Sequence, residues 1–188
     1  DYLGLAVTLE EIAKSNADVA SILTEQIIAR EIFSSMSELN ISDVISENET
    51  VGILCSEPGF SDINSTSTKA TKVEGGWKIE GTKLISDEQL SSDKYLVFAK
   101  DEELNIRIFV IPECELKIVE NKKQISSANI ALTQAEINNE LSETACIAVI
   151  GKKYEKIQTV ARTAIAAVST GLAHSSLESS VVTAKKTK

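Results

Sequence analysis

Apolar residues recur at steps of three and four near the start of the chain. Leu9, Ile12, Ala13, Val19, Ile22, Leu23, Ile27 and Ile28, with charges between them, predict helix over residues 5–36. Thr8, followed by Glu10 and Glu11, reads as an N-terminal cap region. Ser15-Asn16-Ala17-Asp18 predicts a break, with Asn16 or Asp18 capping a second helix. Residues 37–50 are polar and read as a linking segment. From Thr50 the period changes to two. Strands are expected at Val51–Cys55, Thr68–Val73, Trp77–Gly81, Lys83–Ser86, Tyr95–Lys100, Ile106–Ile111, Leu116–Val119 and Ile130–Leu132. Gly75-Gly76 is a hairpin turn signal, and Gly81 reads as a second turn. Trp77 and Ile79 fall on one strand face. After Gly151 the helical period returns, and one long helix is expected over 152–185 with an Ala-rich middle.

The order is helices, then strands, then one helix. The fold class is therefore α+β: N-terminal helices, a central antiparallel β-barrel-like middle domain and a long C-terminal helix. The expected divisions are 1–46, 47–150 and 151–188. The Ala-rich last helix would leave an apolar stripe uncovered by itself, which calls for a homo- or hetero-oligomer.

Composition narrows the function. Hydrophobic residues make up 43% of the 188 and aromatics only 4%, so the core must rest on Ile, Leu, Val and Ala. A net charge of −9 argues against nucleic acid as a partner, because phosphate binding needs clustered Lys and Arg. Cys55, Cys114 and Cys146 lie far apart, without the spacing of a zinc site or a disulfide framework, and His174 has no second histidine. No metal site is expected. Reduced thiols and the lack of a transmembrane-length apolar run suggest a cytoplasmic protein with no membrane span.

The candidate chemistry begins at Gly52, where the chain reads GILCSEPGFSD. A strand that ends in a small polar residue before a Pro-Gly turn presents a hydroxyl and backbone N–H groups at a sheet edge. That suits a ligand, and it equally suits an ordinary turn. Glu57 is expected to hold the turn, and Trp77 to be a core aromatic of the hairpin. Apolar neighbours should leave Cys55 unreactive. His174 has no visible partner and lies on a helix expected to be half buried.

The words in this order resemble the acyl-CoA dehydrogenase family across nearly the whole chain. Ser56-Glu57-Pro58-Gly59-Phe60-Ser61-Asp62 is similar to the family's T-E-P-x-x-G-S-D segment with one residue deleted. Ser67-Thr68-Lys69-Ala70 resembles its T-x-A strand, and Gly76 to Lys83 its G-x-y-x-(I/L)-N-G-x-K hairpin. Tyr95 to Lys100 resembles its apolar strand ending in A-R, and Glu11-Ile12-Ala13 with Asp18 the helix before the middle domain. Arg162, Ala166-Ala167 and Gly171-Leu172-Ala173 resemble the long helix after it.

The resemblance implies an FAD-dependent oxidoreductase of fatty acid metabolism. In the family a glutamate removes the α-proton of an acyl-CoA thioester, the β-hydride passes to flavin N5, and electrons leave through an electron-transferring flavoprotein. Carried over, it makes Cys55, Ser56 and Ser86 cofactor-binding and Ser61 substrate-binding. Three departures stand against this. The family's W-I-T stretch is replaced by Ile85-Ser86-Asp87, and the Gly before Ser61 is missing. Where one branch of the family carries its catalytic Glu there is Ala161, so no catalytic residue is expected in this chain. Two readings remain. The chain is part of such a dehydrogenase, not catalytic by itself, or it is a degenerate paralogue that binds a partner or an acyl-CoA without redox chemistry.

Overall fold

The computed structural model describes residues 2–36, 41–46, 48–59, 63–86, 89–125, 131–151 and 154–186, the side chains at 36, 41, 43, 120–125 and 131 aside. The chain divides into two compact units, one of residues up to 28 and from 155 onward, the other of residues 29–154.

The first unit is helical. α1 (Tyr2–Ser15) and α2 (Ala17–Met36, of which residues up to 28 belong here) flank the expected break. Of the two cap candidates the structure selects Asn16, whose Oδ1 accepts the Val19 N–H at 3.1 Å. Thr8 is not a cap: α1 already begins at Tyr2, because the apolar pattern extends further toward the start than the polar signal suggested. Residues 154–186 form a single helix, Tyr154–Lys186, numbered α4 in chain order. Its buried stripe is Ile157, Val160, Ala164, Ala167 and Gly171, at alternating steps of three and four. Leu9, Ala164 and Ala167 form the centre of this unit's core, with Leu5, Ala6, Ile27 and Val168 against it.

The second unit carries the short helix α3 (Ile41–Val44) and eight strands. These are β1 (Val51–Leu54), β2 (Lys69–Val73), β3 (Gly76–Ser86), β4 (Lys94–Lys100), β5 (Ile106–Pro112), β6 (Lys117–Ile125), β7 (Ala131–Ser142) and β8 (Cys146–Val149). They form one sheet in the order β6-β7-β3-β2-β4-β5-β8, with β1 beside β4. Most pairings are antiparallel as expected, but β1 runs parallel to β4, and β2 meets β4 in parallel at Lys69↔Lys100. The linking segment is pinned to β4: the Lys94 ammonium donates to Val44 O at 2.5 Å and to Glu49 Oε2 at 2.8 Å.

Two expectations about strands are corrected. Gly81 is not a turn. β3 passes straight through it for 11 residues, paired along its whole length with β7. Gly81 is there because a Cβ would lie 2.4 Å from Thr68 Oγ1 and 2.8 Å from Thr68 Cα. β7 runs 12 residues where a short strand was expected, since its polar outward positions hide the alternation.

β3 alternates as a half-buried strand does. Trp77, Ile79, Lys83 and Ile85 are buried, while Lys78, Glu80, Thr82, Leu84 and Ser86 are partly or fully exposed. The core of this unit combines Leu54, Ala70, Trp77, Ile79, Ile85, Tyr95, Val97, Ala99, Phe109, Ile111, Ala135, Ile137 and Leu141. A lysine on the core side of that alternation needs an explanation, and it lies in the site.

Candidate functional site

β4 presents one edge to two strands in turn. β1 pairs with it over Lys94–Val97 and β2 meets it at Lys100. Between them the chain leaves the sheet at Cys55 and returns at Thr68. β3, paired with β2, extends past that gap and reaches the end of β1, where the Leu84 N–H donates to Ser56 O at 2.9 Å. Cys55 and Ser56 are thereby set against the last turn of β3's alternation, with Ser86 two residues beyond Leu84. That is about 7 Å further along the strand, on the same face.

All three are half buried. Ser86 N donates to Gln89 Oε1 at 2.9 Å, and Ser86 Oγ accepts the Gln89 N–H at 3.3 Å. Gln89 is anchored in turn, its Nε2 donating to Ile53 O at 3.1 Å and its carbonyl accepting the Tyr95 hydroxyl at 2.8 Å. Ser86 Oγ accepts from Gln89, and a hydroxyl that accepts can also donate its own proton. The structure therefore brings the candidates Cys55, Ser56 and Ser86 to one edge. Ser61 lies outside the described residues, as do Phe60, Asp62, Asp87 and Glu88. Ile85, matched to the family's aromatic, is fully buried in the core and presents no wall to a ligand.

Beneath this edge lies a charged node: Glu57, expected from the sequence to hold the turn, is paired with Lys83, a pairing the sequence did not reveal. Glu57 is 2% exposed and Lys83 0%. Lys83 Nζ donates to Glu57 Oε1 at 2.7 Å and to Thr66 Oγ1 at 2.9 Å. Glu57 Oε1 also accepts from the Thr66 hydroxyl, from the Thr68 hydroxyl at 2.6 Å and from Thr68 N at 3.1 Å. Glu57 Oε2 accepts from Ser67 Oγ at 2.5 Å and Ser67 N at 2.7 Å. Burial pushes the Glu57 carboxyl up, but the bonds from Lys83, Ser67, Thr66 and Thr68 overcome it and hold the carboxyl far below the usual range. Burial also pulls the Lys83 ammonium down, against the pull of Glu57. A carboxylate so held is no general base. The available signal was parity: Lys83 falls on the inward register of a strand whose other inward residues are apolar.

The other candidates fall elsewhere. Trp77 is a core aromatic, edge-on to Phe109 with centroids 5.8 Å apart. Lys72 Nζ and Arg107 Cζ each lie 4.5 Å from its ring centroid. It lines a cleft of about 370 Å³ with Lys72, Asp101, Glu102, Glu103, Arg107 and Glu143. Both cations are engaged there, Lys72 by Glu143 and Arg107 by Asp101 at 2.7 Å. This cleft lies at the opposite end of β3 from Ser86, about 30 Å away. Cys146 has its thiol pushed up by burial in spite of Arg107 beside it, which makes it a poor nucleophile. His174, for which the sequence showed no partner, is exposed on α4, and its Nε2 lies 3.2 Å from Glu178 Oε1 one helical turn on. Ala161 is half buried and Arg162 exposed on α4. Among the described residues no three His, Cys, Asp or Glu side chains gather as a metal site would require. Nor is any described helix long and apolar enough to cross a membrane.

Comparison with solved structures settles the architecture. A glutaryl-CoA dehydrogenase from Mycobacterium smegmatis in complex with FADH2 aligns over 94% of this chain, with a TM-score of 0.76 and 20% identity. The chain has the acyl-CoA dehydrogenase fold. Butyryl-CoA dehydrogenase from Megasphaera elsdenii aligns over 96% at a TM-score of 0.77 and 20% identity, and the FAD complex of PigA over 96% at 0.77 and 17%. The chain spans about half the length of these structures, 49%, 52% and 52% of them respectively. No family model matches the chain, and no curated protein matches it. The order of helices, mixed sheet and long helix is therefore that of the acyl-CoA dehydrogenase fold over the part of it present here.

Proposed function

We propose that the chain is the flavin-side part of an FAD-dependent acyl-CoA dehydrogenase, completed by a further segment or a partner chain. The observation that carries this reading is the edge itself: on this fold, the Leu84–Ser56 hydrogen bond brings Ser56 beside the strand that ends in Ser86. Two half-buried hydroxyls on one edge fit the acceptor atoms along the polar rim of an isoalloxazine. Ser56 and Ser86 would donate to them, and the backbone at Cys55 would lie against the ring. FAD, when bound, supplies the hydride acceptor for α,β-dehydrogenation of an acyl-CoA. Ser61 is the position for the CoA side. The α-proton base comes from outside this chain, since Glu57 is committed to its donors and Ala161 has no proton to exchange. Electrons would leave to an electron-transferring flavoprotein.

A second reading has a specific observation in its favour. Ile85 is sunk in the core where the family presents an aromatic to the ring. A non-catalytic paralogue that keeps the fold for a partner or an acyl-CoA would tolerate that change. The visible spectrum of the purified protein, before and after incubation with FAD and gel filtration, separates the two. A retained flavin band that bleaches with an acyl-CoA once the completing segment or partner is added supports the dehydrogenase reading. No flavin retained, with or without that addition, overturns it in favour of the second.

A further inference from the structure

We propose that Glu57, acting with Lys83, is a positioning residue that sets where Ser56 stands relative to Ser86. The proposal rests on the reading of that edge as the flavin side. It follows from where the node sits in the sheet. β4 changes partner from β1 to β2 between Val97 and Lys100, and three segments meet at that gap: the exit from β1, the entry to β2, and β3 alongside. Backbone bonds tie these segments at single points, Leu84 N–H to Ser56 O and Lys100 N–H to Thr68 O. Glu57 adds side-chain bonds that join all three. It lies one residue after Ser56, accepts from Thr66, Ser67 and Thr68 at the entry to β2, and accepts from Lys83 on β3.

Each contact is directional. Thr66 Oγ1 has one proton; it goes to Glu57, the nearer acceptor, rather than to Phe98 O at 3.5 Å, which leaves the lone pairs for Lys83. Thr68 packs so close to Gly81 that a Cβ there would lie 2.4 Å from the Thr68 Oγ1, so β3 and the entry to β2 are in close backbone contact at this point. Lys83 and Leu84 are adjacent, so one residue of β3 is tied to Glu57 and the next to Ser56. A shift of β3 by one residue would break both ties and turn Lys83 outward. The charged pair therefore acts as a register pin for the part of β3 that ends in Ser86. An apolar pair of equal volume would fill the same space without specifying that register.

The test is the double variant Glu57→Gln with Lys83→Met, which keeps the volume and removes both charges. Thr66→Val serves as a milder second variant that removes only the hydroxyl between them. Two readouts are taken on the folded proteins. Amide hydrogen exchange is followed at Leu84, whose N–H reports the tie to Ser56, with Phe109 on β5 as an internal reference. FAD affinity is measured by titration. The expected result is at least tenfold faster exchange at Leu84 with Phe109 unchanged, together with at least tenfold weaker FAD binding, smaller for Thr66→Val but in the same direction. Wild-type exchange at Leu84 in both variants overturns the proposal, as does faster exchange that leaves FAD affinity untouched. If the wild-type protein binds no FAD even with the completing segment or partner added, the functional reading fails separately, and the Leu84 comparison still decides whether Glu57 sets the register.

Discussion

Lys83 and Glu57 make the residue scale decisive. A fully buried ion pair is a weak source of net stability, but breaking it on one side leaves an uncompensated charge in the core. Lys83→Met alone should cost about 3–5 kcal/mol in urea unfolding, and Glu57→Gln with Lys83→Met should recover much of that. Acid will act on the same groups. The Glu57 carboxyl is held far below its usual range, and Asp101 is held low by the Asn105 backbone and by Arg107, against burial that pushes it up. A carboxyl with a lowered native value contributes stability above its unfolded value, roughly 4. Below that, the unfolded chain takes up protons that the native state refuses. The urea midpoint should therefore stay level from about pH 8 to pH 5 and fall as pH drops through about 4. Glu57→Gln should flatten that fall. Neither residue was legible as a pair, because 26 positions separate them and only the sheet's register brings them together.

At the scale of the element, helices were the most legible parts. The three- and four-residue steps located α1, α2 and α4, and Asn16 was among the candidate caps. What sequence could not tell is how close the helices come. A Cβ on Gly171 would lie 2.3 Å from Glu10 O and 2.8 Å from Ala13 Cβ. Gly171→Ala should gain about 1 kcal/mol of helix propensity and lose about 1–3 kcal/mol to overpacking against α1. The clash involves backbone that cannot rotate away, so a net loss in Tm is expected, measured by thermal circular dichroism. Strand lengths were less legible. From its sequence β3 reads as broken at Gly81, because glycine signals both a turn and a close backbone approach, and only the position of Thr68 tells them apart.

For the whole molecule, the exposed apolar side chains lie mostly on the helices. Leu3 and Val7 on α1, Val19 on α2, and Ile165, Leu177, Val181 and Val182 on α4 are all at least 43% exposed. Such surface favours association despite a net charge of −9. Sedimentation should show a concentration-dependent shift above the 20.3 kDa monomer, and Leu177→Asp should reduce it. A monomer at all concentrations would overturn the expectation of self-association. The same scale explains why so much of the fold was readable. The order of helical and period-two segments is a property of the chain, and it matched the fold across 94–96% of its length at identities near 20%.

Sequence alone determined the element order, the α+β class and the aliphatic core. These follow from local periodicity and residue type, which each segment carries by itself. Only the tertiary structure decided that Ser56 and Ser86 share one edge, that Ile85 is lost to the core, and that Glu57 and Lys83 bind three segments at a gap in the sheet. Those are facts of register. Register is set by contacts between residues far apart in the chain, and no local pattern contains them.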